Sequence, residues 1–407
     1  MLSKLCLPVI LLLAVSANSQ FKNDNVLYKT VDPADLCTEL EKNKGYILLD
    51  VRSKGEHDDT SQSPSYNLGH LKGAINIDIR ELGKRLSEIQ GYKDKPVFVY
   101  CSHSQRSRRA GKMLADSGFT NIYNINGGMT AIHYRESTDD YDCAASLVET
   151  KNKYDIISAN GLCALMRMHS MPFILDVRSD SAFKHISRDA KENAFGTIRR
   201  AVNIPLSELP GKLSFVPKYS RIVITDMYGD EAAKAAVLLT QNDYPSVYVL
   251  IEGIDRILYT DSRDMDSRCK NWYISPVAYK MFNATEFGRY AAENNNYILV
   301  DIRSKDEFEN KHKDSWRNIG HIKNAVHIPA DVINSRLSEL DKNKEVVIYG
   351  FGTGTEVYAT ADLLQKSGFS KVRLLVGGIF NLRWSAGNVK GQSHLKDMVV
   401  DVPEMNR

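Results

Sequence analysis

Short apolar runs alternate with segments of helical spacing along most of this chain. Ile47-Leu48-Leu49, Val97-Phe98-Val99-Tyr100, Ile222-Val223-Ile224 and Val346-Val347-Ile348 read as buried strands. Behind the second of these, Ala110, Met113 and Leu114 recur at helical spacing. Strands that alternate with amphipathic helices predict an α/β fold, a central parallel sheet flanked by helices on both faces.

The pattern is written three times. A strand ending in Asp-x-Arg-Ser recurs at Asp50, Asp176 and Asp301, at intervals of 126 and 125 residues. A second signature follows each strand: Gly69-His70-Leu71-Lys72-Gly73-Ala74-Ile75-Asn76-Ile77, then Gly196 to Ile204, then Gly320 to Ile328. A third closes each copy: Gly127-Gly128-Met129, Glu252-Gly253-Ile254 and Gly377-Gly378-Ile379. Three tandem α/β domains are expected, at residues 22–140, 150–265 and 275–392. Asp32, Ser158 and Asn283 are N-cap candidates for the opening helix of each copy. Glu136–Asp142 and Thr260–Asp266 read as polar connections, and the tail after Gln392 as frayed.

Composition adds exclusions. With 407 residues, 43% hydrophobic and 25% charged, the chain is ordinary for a globular protein. A net charge of +3, with no basic cluster beyond Arg106, Arg108 and Arg109, gives no footprint for nucleic acid. Residues 1–19 read as a secretory signal: Lys4, an apolar Leu5–Val15 and a small-x-small site at Ala17-Asn18-Ser19. The mature protein is then expected to be exported, periplasmic or secreted, without a membrane span.

The chemistry concentrates at Cys101. A cysteine between a strand end and a helix start lies where backbone N–H groups converge and the helix dipole favours an anion. Such surroundings favour the thiolate, the nucleophilic form. Ser102, His103, Ser104, Gln105, Arg106 and Ser107 complete the loop, and Arg106 can hold an anionic substrate. Copy two has Asp226 where Cys101 stands and Glu231 where Arg106 stands. Copy three has Gly350, with a loop one residue longer. Only copy one can perform thiolate chemistry. Asp50, Arg52 and His70 read as scaffold, because copies without a nucleophile keep the Asp-x-Arg and, at His321, the histidine. His103 is unique to copy one and reads either as tuning the thiolate or as an exposed loop residue.

Five cysteines follow residue 19, an odd number that leaves one free. Cys37 and Cys163 are 126 residues apart, as are Cys143 and Cys269, and copy three lacks both. The pairing predicts disulfides Cys37–Cys143 and Cys163–Cys269 in an oxidising compartment. No Cys-x2-Cys or histidine cluster suggests a metal, and no cofactor is called for.

Together these motifs resemble the rhodanese (sulfurtransferase) family: the Asp-Val-Arg strand, the Gly-His-x-x-Gly-Ala-x-Asn-Ile segment, the Cys-x4-Arg-Ser loop and the closing Gly-Gly. The resemblance implies three tandem rhodanese-like domains, the first active and the others inactive. It implies that Cys101 takes sulfane sulfur from thiosulfate, a polysulfide or a persulfide. The sulfur would be held as a Cys101 persulfide by N–H groups of Ser102–Ser107 and passed to cyanide or a thiol. Ser102 stands where enzymes preferring thiosulfate often have a basic residue, which leaves the donor open. Two alternatives stay beside this reading. One is a binding array whose inactive domains hold a protein partner. The other is a phosphatase, whose related His-Cys-x5-Arg loop is one residue longer than the loop here.

Overall fold

A computed structural model describes residues 26–134, 143–168, 171–259, 271–352 and 354–403. Each copy builds one five-stranded, wholly parallel sheet. In copy one the strands are Lys29–Val31, Ile47–Asp50, Ile75–Asn76, Val97–Tyr100 and Ile122–Ile125. In space the first lies beside the fifth, then come the fourth, second and third. Copies two and three repeat this order. The central strands, Val97–Tyr100, Ile222–Thr225 and Glu345–Tyr349, carry continuous apolar runs because helices cover both faces. Val97, Phe98, Val99 and Tyr100 are all fully buried.

The Asp-x-Arg repeat is explained by a buried ion pair. Arg52 donates to both carboxylate oxygens of Asp50, at 2.7 to 3.1 Å, and to the Gly69 carbonyl at 2.6 Å. Arg178 with Asp176 and Gly196, and Arg303 with Asp301 and Gly320, do the same. Such a pair survives burial because its geometry is bidentate and further bonded. It ties the first signature to the second in all three copies.

Capping holds for two of the three candidates. Ser158 Oγ accepts from the Gly161 N–H, and Asn283 Oδ1 accepts from that of Glu286. Asp32 does not cap a helix: it precedes a short 3-10 turn, Pro33–Asp35, and its carboxylate accepts from Asn126 Nδ2 instead. The described part of the tail, residues 393–403, is not frayed either. Leu395 is fully buried, and Val399–Val400 pairs antiparallel with His321–Ile322. Each copy needs such a partner for its second signature. Val148–Glu149 serves copy one and Tyr273–Ile274 serves copy two, so the last copy must recruit the tail. Both expected connections, and Cys269, lie outside the described residues.

The copies touch one another. Ser65 of copy one bonds Asp230 of copy two, and Thr355 of copy three bonds Asp189 of copy two. Asn126 of copy one donates to the Asn388 carbonyl of copy three at 2.6 Å. Cys37 and Cys143 are disulfide-bonded, with Cα atoms 6.3 Å apart. Cys163 is also disulfide-bonded. No described helix is long and apolar enough to cross a membrane.

Candidate active site

Cys101 follows the central strand, and the Gln105–Asp116 helix begins four residues later. Between them the backbone turns at Ser104, with φ 73°. That left-handed conformation suits glycine, and copy two has Gly229 there, at φ 93°. Ser104 offsets the strain with its hydroxyl, which accepts from the Gly127 N–H at 2.5 Å. The closing glycines hold the loop from the other side. The Met129 N–H donates to the Cys101 carbonyl and the Thr130 N–H to that of Ser102. A Cβ on Gly128 would lie 2.0 Å from the Cys101 oxygen, so only glycine allows this approach.

Among the described residues Cys101 is the free cysteine, and it is 1% exposed. Its Sγ lies 3.6 Å from Ser107 Oγ, which lies 2.6 Å from Asn124 Oδ1. All three side chains are buried. Asn124 is a residue that sequence reasoning missed. It interrupts an apolar strand, and its Nδ2 has no hydrogen-bond partner. A buried polar group of this kind costs stability. The sheet register aligns Asn124 with Val249 and Leu374, and the helices align Ser107 with Ala232 and Val357. The polar relay therefore exists only in the copy that carries the thiol.

Arg106 is not free to meet an anion unopposed. It makes two 2.6 Å bonds to Glu56, and also donates to Ser102 Oγ at 2.9 Å. The Glu56 bond and charge raise the Arg106 pKa further. Burial acts to raise the Glu56 carboxyl, but Arg106 and Ser53 outweigh it and hold the group below its ordinary range. Glu56 was legible only as the last residue of a Ser-x-x-Glu capping box, which it does complete with Ser53. In copy three the matching Glu307 pairs with Arg317, and copy two has Ala182. Gln105 opens the helix at the surface. His103 points away from Cys101's relay: its Nε2 lies 3.0 Å from Glu252 of copy two and 3.1 Å from Thr130 Oγ1.

Copy two shows what this loop shape does to the side chain at its first position. Asp226 accepts from the backbone N–H groups of Gly229, Glu231 and Ala232, the last two at 2.7 and 3.3 Å. Three amides thus converge on one carboxylate, an anion nest at a helix N-terminus. Burial nevertheless pushes its pKa up to about 6, against those bonds. In copy three a Cβ on Gly350 would lie 2.7 Å from Val357 Cγ2, and the next residue, Phe351, meets Trp316 edge-on at 5.3 Å. Among the described residues no cluster of His, Cys, Asp and Glu could hold a metal ion.

A family model described as "Rhodanese-like domain" matches the chain at residues 33–134, 160–259 and 284–383. A Bacillus subtilis protein of uncharacterized function, YqhL, is 42% identical over 94 residues, 22% of this chain and 66% of its own. A thiosulfate sulfurtransferase of Coxiella burnetii is 28% identical over 115 residues, 28% of this chain and 96% of its own. The chain spans only 34% of a tRNA uridine(34) hydroxylase from Cytophaga hutchinsonii, at 26% identity. A solved thiosulfate sulfurtransferase from Pseudomonas aeruginosa covers 92% of this chain and 71% of its own at 17% identity, with a TM-score of 0.22, too low to bear on function.

Proposed function

Because this chain belongs to the rhodanese-like domain family, three such domains in tandem, we propose that it is a sulfurtransferase whose first domain carries sulfane sulfur on Cys101. The observation that carries the reading is the contrast between copies. Only copy one places a thiol, a polar relay and an arginine around the loop. Asp226 of copy two shows that amides of such a loop converge on an anion at that position.

The chemistry follows from those groups. The Cys101 thiolate attacks the outer sulfur of a small anionic donor such as thiosulfate. A new S–S bond forms at Sγ, the donor's own S–S bond breaks, and sulfite leaves with the electron pair. The loop amides stabilise the resulting persulfide anion. Cyanide or a thiolate then attacks the outer sulfur, leaves as thiocyanate or a persulfide, and returns the Cys101 thiolate. Arg106 supplies the charge that draws the donor, moderated by Glu56. Since Cys101 is 1% exposed, donor access requires the loop's cover to shift. Ser102, Arg106 and Glu56, bonded to one another, are its polar part.

The reading includes export. A disulfide at Cys37–Cys143 and a bonded Cys163 suit an oxidising compartment, in keeping with a cleaved signal at residues 1–19. A partner-binding role for copy three is a second reading. It is favoured by Trp316, 60% exposed beside Phe351 and Phe380. The test of the first is steady-state assay with thiosulfate and cyanide. Thiocyanate is expected from the intact protein, none from Cys101→Ala, and no phosphate from an aryl phosphate. An intact protein that makes no thiocyanate and turns over no other sulfane donor contradicts it.

A further inference from the structure

Copies one and three close with two glycines, Gly127-Gly128 and Gly377-Gly378. Copy two has Glu252 at the first of these positions. Gly127 and Gly377 stand at φ 71° and 75°, and Glu252 is held at φ 55°. That left-handed backbone disfavours any residue with a Cβ, and strain of this kind collects at functional sites. The strained residue is the one that reaches out of its domain. Its Oε1 lies 3.0 Å from Nε2 of His103, inside the Cys101 loop. Its other oxygen accepts from the Tyr134 hydroxyl, and Arg256, one turn on, stacks over the Tyr134 ring at 4.1 Å. A carboxylate can only accept, so the His103 nitrogen that faces it carries the proton.

The loop needs such support. Its own turn residue, Ser104, also sits at positive φ, where copy two uses glycine. The loop's shape is therefore not the one its sequence favours by itself. Thr130, which shares His103 Nε2, donates its N–H to the Ser102 carbonyl. His103 thus joins the loop, the Gly128 helix and copy two at one point.

We propose that Glu252 is a positioning residue for sulfur transfer: through His103 it holds the Ser102–Gln105 backbone in the form that presents its amides to Cys101. Copy two, which has lost the nucleophile, keeps a part in the reaction of copy one. This rests on the reading of Cys101 as the sulfur carrier.

The experiment uses the full chain with Glu252→Gly, which gives copy two the residue of its sisters and suits φ 55°. Two rates are measured: sulfur loading of Cys101 from thiosulfate in a single turnover, and alkylation of Cys101 by iodoacetamide. Both are expected to fall about tenfold or more, as misplaced catalytic groups do. Glu252→Gln, which can still accept the bond, retains most of the wild-type rate. His103→Ala, at a half-exposed side chain, shows the same fall, and adding Glu252→Gly to it brings no further loss. Wild-type rates in Glu252→Gly, or a loss that adds in full to that of His103→Ala, overturn the proposal. A wild-type protein that is alkylated but never loads sulfur refutes the sulfur-carrier reading instead, and the alkylation rates still decide the role of Glu252.

Discussion

Two loops with one backbone plan, Cys101–Ser107 and Asp226–Ala232, place opposite chemistry at the same point. Each follows a fully buried central strand, and each leads to a helix starting four residues on. In copy two the nest holds a carboxylate, with Ala232 and Val249 behind it. In copy one it holds a thiol, with Ser107 and Asn124 behind it. The left-handed turn before the helix, at Ser104 and Gly229, is thus common to these two loops. The specific contribution of copy one is the polar backing, which costs stability and is absent wherever the thiol is absent.

The comparison breaks most visibly by transplantation. Asp226→Cys alone puts a thiol into copy two's nest without an arginine or polar relay. Its sulfur loading in a Cys101→Ser background is expected to lie about a thousandfold below that of native Cys101, roughly 4 kcal/mol of barrier. Adding Glu231→Arg, Ala232→Ser and Val249→Asn recovers at least a tenth of the native rate. Equal loading by the single and quadruple variants would show that the nest alone suffices.

The next effect is on stability. The folded state holds the Asp226 proton up to about pH 6, against 3.8 for an ordinary aspartate. The fold therefore binds that proton more tightly than the unfolded chain does. Stability falls as pH rises from about 4 through 6, and the whole loss is present above that. It amounts to about 3 kcal/mol at most. Asp226→Asn should flatten this part of the denaturation profile, measured by urea midpoints across pH. An unchanged slope between pH 4 and 6 would contradict the assignment.

A smaller change tests the relay directly. Asn124→Val installs copy two's residue and removes a buried amide with an unpaired nitrogen. The fold should gain about 1 kcal/mol, while the rate of Cys101 sulfur loading drops about fivefold. If both stability and rate fall, Asn124 is only a packing residue. Smallest of all, Glu56→Gln keeps the helix cap but releases Arg106 from a charge. The KM for thiosulfate should drop a few-fold, with kcat little changed. A raised KM would mean that Glu56 orients Arg106 rather than opposing it.

Much of this was legible in the chain. The threefold repeat, the parallel sheets, the lone thiol between strand and helix and the Cys37–Cys143 bridge all follow from spacing and residue type. Asn124 was not legible, because a single polar residue in a short strand gains meaning only from the register that sets it behind Ser107. Glu252 appeared as a departure from Gly-Gly, but its reach depends on how two domains meet, which no local pattern encodes. The order in the tail was missed for a similar reason. Val399 and Val400 are too few to read as a strand until the unpaired His321–Ile322 segment needs one.

The central claim is that one thiol, and no other, takes up sulfur. Mass spectrometry of the intact chain after brief mixing with thiosulfate tests it most directly. The account predicts a gain of a single sulfur atom, mapped to the peptide of Cys101, lost on adding cyanide and absent from Cys101→Ser. An unmodified Cys101 with every sulfane donor tried, or sulfur found on a chain that lacks it, would contradict the account.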